Sequence, residues 1–326
     1  MMASNVFKMS DTVAEMSPTP QRRCDCQSGE LVRLFAARDY ISGDSFQIFE
    51  CTTCGLAFTD PVPEQWERYY PNSYYGDPKA NRFPRLIEWL QHQLYASRAR
   101  KVEMVAGGKS GRVLDVGCGR GHLLRAFQRR GWDVTGTEMS DAAATYAREQ
   151  LELPVHIGTL PGLKLPSASF DAAVMWHVLE HFERPTEALR EIRRLLRPGG
   201  AFLVAVPNFG SPEARAARDK WFHLDVPRHL THFTSAALIQ SLESASFGIE
   251  AITDRSFEYD FFSAAQSFLN YAGLRMNWLY SALRDGRATG FGQWLGHLAC
   301  GPAAGLFGLS AMLAGGSTMV VYARKT

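Results

Sequence analysis

At 326 residues the chain is longer than one typical domain and long enough to bury a large core. Its 35 Lys and Arg against 33 Asp and Glu leave a formal charge of +2. That balance excludes the broad basic field of a nucleic-acid binder and favours small or lipid-linked partners.

In chain order, the first 20 residues mix charged, polar and proline positions without the apolar core of a signal peptide. Residues 1–20 are therefore expected to be disordered and the chain cytoplasmic. Four of the six cysteines follow before residue 55, as Cys24-Asp25-Cys26 and Cys51-Thr52-Thr53-Cys54. Two close thiol pairs suit one tetrahedral Zn²⁺ that stabilises a ribbon too small for its own core, here residues 21–75. The first pair is one residue tighter than a C-x₂-C knuckle, so a set of reduced structural thiols is the alternative. The spacing over Arg82 to Val105 predicts a helix ending before Gly107-Gly108 and covering a cofactor. Val113 to Val116 reads as a buried strand. Gly117, Gly119 and Gly121 then let the backbone turn sharply and a ligand come close before a helix from His122 to Arg130. The second strand, Asp133 to Thr137, delivers Glu138, a carboxylate placed to accept hydrogen bonds from both hydroxyls of an adenosine ribose. Dinucleotide sites prefer G-x-G-x-x-G, whereas this run is G-C-G-R-G. Cys118 is read as a small filler of the turn.

That glycine run, with Asp115 two residues before it, resembles motif I of the class I S-adenosylmethionine-dependent methyltransferases. FDAAVMWHVLEHFERPTEALREIRRLLRPGGAFLVAVPN at 170–208 is similar to the fourth strand, following helix and fifth strand of that family, with Arg197-Pro198-Gly199-Gly200 as the turn before the fifth strand. DVPRHLTHFT at 225–234 and the C-terminal STMVVYARK resemble one bacterial subgroup, whose members often begin with a cysteine-pair ribbon. The resemblance covers about residues 82 to 256 and the last strand. It implies a Rossmann-like α/β fold, a mostly parallel seven-stranded sheet with an antiparallel last strand, binding S-adenosyl-L-methionine. By the same resemblance Gly117 and Gly119 approach the methionyl part and Glu138 the ribose, with Asp115, Cys118, Gly121, Trp176 and His177 completing the cofactor site. The loop after the third strand offers only Gly158, Thr159 and Leu160 where the family often places an acid or amide near the adenine.

Further along, Ser140 or Asp141 is expected to cap a helix over 142–150, and Val155 to Ile157 forms a short third strand. The fourth strand, Phe170 to Trp176, ends where open α/β sheets bind ligands, so His177 is expected to face the reaction. His177-Val-Leu-Glu180-His181 also matches the zinc-protease pattern H-x-x-E-H, but it follows a buried strand instead of lying within a long helix. Past the fifth strand a loop carries Trp221, His223, Asp225, Arg228, His229 and His232. His229 is the best candidate for a base, oriented by a nearby acid, with His177 the second catalytic candidate. The alternative is that Asp225, Arg228 and His232 brace the loop and no base is required.

The last two strands are expected at about 248–255 and 317–323. Residues 257–316 stand between them as an apolar insert, read as a helical lid that contacts a hydrophobic substrate or the inner membrane face. Gly301-Pro302 argues against a transmembrane span. The parts are thus a disordered start (1–20), a cysteine module (21–75), a methyltransferase core (82–256), the insert (257–316) and a last core strand (317–326). The expected function is methyl transfer to a small-molecule or lipid-linked acceptor without nucleic acid. The alternatives are an NAD(P)-dependent oxidoreductase and a non-catalytic S-adenosylmethionine-binding protein.

Overall fold

A computed structural model of the chain describes residues 20–27, 29–70, 85–254, 256–273, 276–277, 280, 306 and 315–326. The expected disordered start, part of the stretch after residue 70 and most of the apolar insert, including Gly301-Pro302, lie outside the described residues.

Three strands open the described chain, β1 (Leu31–Arg38), β2 (Ser45–Cys51) and β3 (Ala57–Asp60). They are followed by helix α1 (Arg85–Val105) and by the core: β4 (Arg112–Val116), α2 (His122–Gln128), β5 (Asp133–Glu138), α3 (Asp141–Leu151), β6 (Val155–Ile157), β7 (Phe170–Trp176), α4 (Pro185–Leu195) and β8 (Leu196–Pro207). The chain continues through α5 (Pro212–Ala217), β9 (Thr231–His232), α6 (Ser235–Ser244), β10 (Phe247–Thr253), α7 (Phe257–Tyr271) and β11 (Thr318–Lys325).

Seven strands pair in the order β10-β11-β8-β7-β4-β5-β6. The ladders β4·β5, β4·β7, β5·β6 and β7·β8 are parallel, while β11 runs antiparallel to both β8 and β10. This is the Rossmann-like architecture expected from the sequence, with β11 wedged between β10 and β8. Alternation along β4 divides the core. Val113 packs in a cluster with residues of α1, α2 and α3, whereas Leu114 and Val116 join Leu189, Ile192 and Leu238 of α4 and α6. A strand covered on both faces must be apolar at nearly every position, which is why Val113 to Val116 admits only one acid. The strand order reverses between β4 and β7, so their carboxyl ends flank the crevice in which such sheets bind ligands.

Arg197-Pro198-Gly199-Gly200 does not precede β8 but lies within it. The register jumps from Phe170 opposite Leu196 to Ala172 opposite Ala201, so these residues bulge out of the ladder.

β1, β2 and β3 form a second sheet, and its fourth member is β9, which comes from the histidine-rich loop: Ala57 pairs with His232 and Phe58 with Thr231. The N-terminal module is thereby continuous by hydrogen bonding with the segment that follows the fifth core strand.

Candidate active site

Two features meet at the carboxyl ends of β4 and β5. Gly117, Gly119 and Gly121 all have positive φ, and each is glycine for its own reason. A Cβ on Gly117 would stand 2.6 Å from Val178, the residue after His177, so this turn and the loop after β7 touch. A Cβ on Gly121 would stand 2.6 Å from Leu153. At Gly119 a Cβ would meet nothing within 4 Å, leaving open space over a bare backbone. That bare stretch faces Glu138, whose Oε2 accepts the Gly119 N–H at 2.8 Å. Its Oε1 accepts the Met139 and Ser140 N–H groups, each at 2.8 Å. Glu138 is 9% exposed, enough for a ligand to reach a carboxylate already oriented by backbone donors. A carboxylate has about four acceptor positions, so a ribose hydroxyl can still be accepted.

Asp115 lies one strand over from Glu138 and is fully buried. Burial, with the Glu138 charge adding to it, pushes its carboxyl up to about 8. The Glu138 carboxylate repels a pyrophosphate and suits a ligand bearing positive charge, and such a charge would also draw the neutral Asp115 toward ionisation, which fits a sulfonium cofactor and its ammonium better than a dinucleotide. The glycines, the open space at Gly119 and the acid pair therefore accommodate S-adenosylmethionine. Cys118 fills the turn: a Cβ on Gly136 would stand 2.8 Å from its Sγ. Burial raises the Cys118 thiol pKa, and the neighbouring acids add to this, so it is unreactive. Trp176 ends β7 with the Arg98 guanidinium of α1 stacked 3.7 Å over its ring, which ties α1 to the end of that strand. No sequence signal marked Arg98.

The opposite wall is built from two segments far apart in the chain. His177, held at φ +53, donates through Nδ1 to the Glu180 Oε1 at 3.2 Å, because the ionised carboxylate can only accept. Glu180 is 1% exposed, and its main-chain carbonyl accepts the Leu230 N–H at 2.8 Å, so the loop is stitched to the turn after β7. Burial opposes the Glu180 charge, but the hydrogen bond to His177 and the nearby imidazoles hold its carboxyl below the ordinary range. The Nε2 of His229 lies 3.9 Å from Glu180 Oε1. Its Nδ1 meets the His223 carbonyl at 2.8 Å, and because a carbonyl only accepts, Nδ1 carries the proton and Nε2 a lone pair. Burial, reinforced by His181, lowers His229 to about 4, so the ring is neutral at pH 7.

His232 is different. The Thr59 hydroxyl spends its one proton on the His229 carbonyl at 2.8 Å, so at 2.9 Å it accepts from the His232 Nε2–H. His232 therefore braces the loop, as does Arg228. The Arg228 guanidinium is fully buried and donates to Asp39 at 2.7 Å, to Asp225 at 2.8 Å and to the Tyr69 carbonyl at 3.0 Å. Glu180 and His223 were not among the expected site residues, although the H-x-x-E-H run pointed to the first and the histidine-rich loop contained the second.

In the small sheet the four expected cysteines converge. All four Sγ atoms lie within 4.8 Å of one another, with Cys24–Cys54 at 3.4 Å and Cys26–Cys51 at 3.5 Å. Tetrahedral Zn²⁺ with bonds of about 2.3 Å needs sulfurs roughly 3.8 Å apart, so this set fits the ion. The backbone turns as a knuckle does, with Gly55 N–H donating to the Cys51 carbonyl at 2.9 Å and Gly55 at φ +65. Despite its tighter spacing, Cys24-Asp25-Cys26 delivers both thiols, helped by a turn closed by Gln27 N–H on the Cys24 carbonyl at 2.9 Å.

A family model described as "Methyltransferase domain" matches residues 87–252. A protein named "Probable S-adenosylmethionine-dependent methyltransferase" from Mycolicibacterium smegmatis is 34% identical over 175 residues, which cover 51% of this chain and 64% of the relative. A ubiquinone biosynthesis O-methyltransferase from Alkalilimnicola ehrlichii is 37% identical over 124 residues, 36% of this chain and 50% of that protein. The chain thus spans about half to somewhat under two thirds of the length of these relatives. The crystal structure of geranyl diphosphate C-methyltransferase from Streptomyces coelicolor A3(2), in complex with Mg²⁺, geranyl diphosphate and S-adenosyl-L-homocysteine, is similar with a TM-score of 0.50. It is 14% identical and covers 77% of this chain and 87% of its own, a likeness of fold.

Proposed function

We propose that this chain, which belongs to the methyltransferase-domain family, transfers a methyl group from S-adenosylmethionine to a small-molecule or lipid-linked acceptor. The observation that carries the reading is the Glu138 carboxylate at the end of β5, 2.8 Å from the N–H of a glycine with open space above it. When bound, the cofactor supplies a methyl group already activated on a sulfonium, so the protein's share is alignment and exclusion of water. Glu138 accepts a ribose hydroxyl, Gly117 and Gly119 let the methionyl part lie against the backbone, and Asp115, Cys118, Gly121 and Trp176 shape the cavity around it.

His177 and His229 are the proposed catalytic residues at the acceptor end. Neutral His229 offers its Nε2 lone pair to an acceptor proton, and Glu180 at 3.9 Å steadies the imidazolium that results. A base lowered to about 4 serves an acceptor that loses its proton as the methyl arrives, not one that must be ionised beforehand.

The acceptor is proposed to be apolar over part of its surface. α7, the described start of the insert, carries Phe261 at 44% and Tyr271 at 72% exposure, which supports a lid or a peripheral membrane contact over 257–316. Among the described residues no helix is long and apolar enough to cross a membrane. A structural Zn²⁺ held by Cys24, Cys26, Cys51 and Cys54 completes the reading.

The test is transfer of radiolabelled methyl from S-adenosylmethionine to a panel of phenolic, prenylated and glycosyl acceptors. Label in at least one acceptor, lost in Glu138→Ala, supports the proposal. A protein that binds the cofactor yet labels none is a binding protein, not an enzyme of this kind.

A further inference from the structure

We infer that Glu180, His181 and His229 form a binding site for one first-row divalent transition-metal cation, separate from the four-cysteine centre. One ligand atom from each of the three residues lies within 4.8 Å of those of the other two. A cation with bonds of about 2.0–2.2 Å holds its ligands roughly 3–4 Å apart. The His229 Nε2 to Glu180 Oε1 spacing of 3.9 Å already meets this, and the widest spacing needs a closure of about 1 Å.

Both rings are set as metal-binding imidazoles are set. His181 Nδ1 lies 2.8 Å from the Arg228 carbonyl and His229 Nδ1 lies 2.8 Å from the His223 carbonyl. A carbonyl cannot donate, so each Nδ1 bears the proton and each Nε2 a lone pair, the orientation that a backbone acceptor imposes on a ligating histidine. The rings stand edge to face with centroids 4.8 Å apart. Among the described residues their hydrogen bonds involve Nδ1 alone. Glu180 is 1% exposed, and its Oε2 is fully buried without a hydrogen-bond partner among the described residues. A buried carboxylate oxygen left unsatisfied is destabilising, and a cation beside it removes that cost. The His229 Nε2 lone pair therefore stands 3.9 Å from the Glu180 carboxylate with no proton shared between them, and His181 brings a third ligand atom within 4.8 Å of both. Two imidazoles with one carboxylate suit Zn²⁺, Fe²⁺ or Co²⁺ far better than Mg²⁺ or Ca²⁺. Three protein ligands leave coordination positions open beside His177.

The binding itself is independent of the proposed methyl transfer, but its consequence depends on that reading. A cation there would draw an acceptor oxygen and lower its pKa. One Nε2 lone pair cannot hold a proton and a metal together, so loading passes proton acceptance from His229 to His177.

The test is titration of the full-length, metal-stripped, reduced protein with Co²⁺, followed by absorption spectroscopy. Cobalt at the cysteines shows thiolate charge-transfer bands, and cobalt at the proposed site shows ligand-field bands without them. The expected result is an equivalent free of thiolate bands, retained in Cys51→Ser and lost in both Glu180→Gln and His181→Gln. S-adenosylhomocysteine binding checks that these variants fold, and should they not fold, the wild-type titration decides. Wild-type protein that takes up cobalt only with thiolate bands, or none at all, overturns the site, as does a folded Glu180→Gln protein that keeps the extra equivalent. A failure of the methyltransferase reading is seen separately, as loss of S-adenosylhomocysteine binding by the wild type.

Discussion

Glu138 and Asp115 face the same crevice with opposite assignments. Glu138 is held by three backbone N–H groups, so Glu138→Gln keeps the shape but exchanges charge-assisted bonds for neutral ones. Each such bond contributes about 1.5–3 kcal/mol, and we expect S-adenosylhomocysteine affinity by calorimetry to fall roughly 10- to 100-fold. An unchanged affinity would remove Glu138 from the site. Asp115 has a folded pKa of about 8, above its unfolded value of about 3.9. The unfolded chain therefore loses this proton first, and the ligand-free protein is progressively destabilised as pH rises from 4 to 8. Asp115→Asn abolishes that term, so in urea unfolding the variant should gain on the wild type steadily across this range; a constant difference would mean that Asp115 is ionised in the fold. The glycines, Asp115 and Glu138 were legible because one strand-turn-helix-strand unit contains them all. Glu180 was visible only as a letter of the H-x-x-E-H run, because His229 reaches it from a loop 49 residues on, and a pattern read along the chain cannot show that His181 and Arg228, 47 positions apart, are bonded.

The element that joins the two halves of the site is the loop between β8 and α6. Arg228 is its anchor, tied to Asp39 of the small sheet's β1–β2 connection with both side chains fully buried. Arg228→Ala leaves that carboxylate buried without a counter-charge and should cost about 3–5 kcal/mol by chemical denaturation. A cost below about 1 kcal/mol would show that the loop is not held in this way. The same loop makes the fold acid-sensitive. His223, His229 and His232 are buried with pKa values lowered by burial, the last two to about 4 and about 3, against about 6.5 unfolded. Their contribution is complete above pH 6.5 and is lost as pH falls toward those values. His229→Gln should reduce the slope of stability against pH in this window by up to about 1.4 kcal/mol per pH unit, read from denaturation midpoints at several pH values. An unaltered slope would place the proton elsewhere. Strands and helices of the core were legible from periodicity. β9 was not, since two residues carry no period, and its pairing with β3 arises only when the small sheet offers an edge.

At the scale of the molecule, the sheet order places the acid-bearing ends of β4 and β5 beside the end of β7, at the reversal of strand order where such sheets bind ligands. The antiparallel β11 completes the sheet after the insert, and that return was foreseen from the resemblance of STMVVYARK to the family's last strand. The four cysteines lie beside the sheet that β9 completes, so the proposed Zn²⁺ would support the histidine-rich loop as well as the ribbon. Stripping the metal by chelation should lower the melting temperature and loosen the loop, visible as faster amide exchange at 228–232; a chelated protein with unchanged exchange there would confine the metal's influence to the small sheet. The crevice at Gly119 and Glu138 is proposed to receive S-adenosylmethionine and not a dinucleotide. Isothermal calorimetry of the full chain tests it most directly: one equivalent of S-adenosylhomocysteine should bind while NADH gives no heat of binding, and saturable NADH binding, or silence toward S-adenosylhomocysteine, would contradict it.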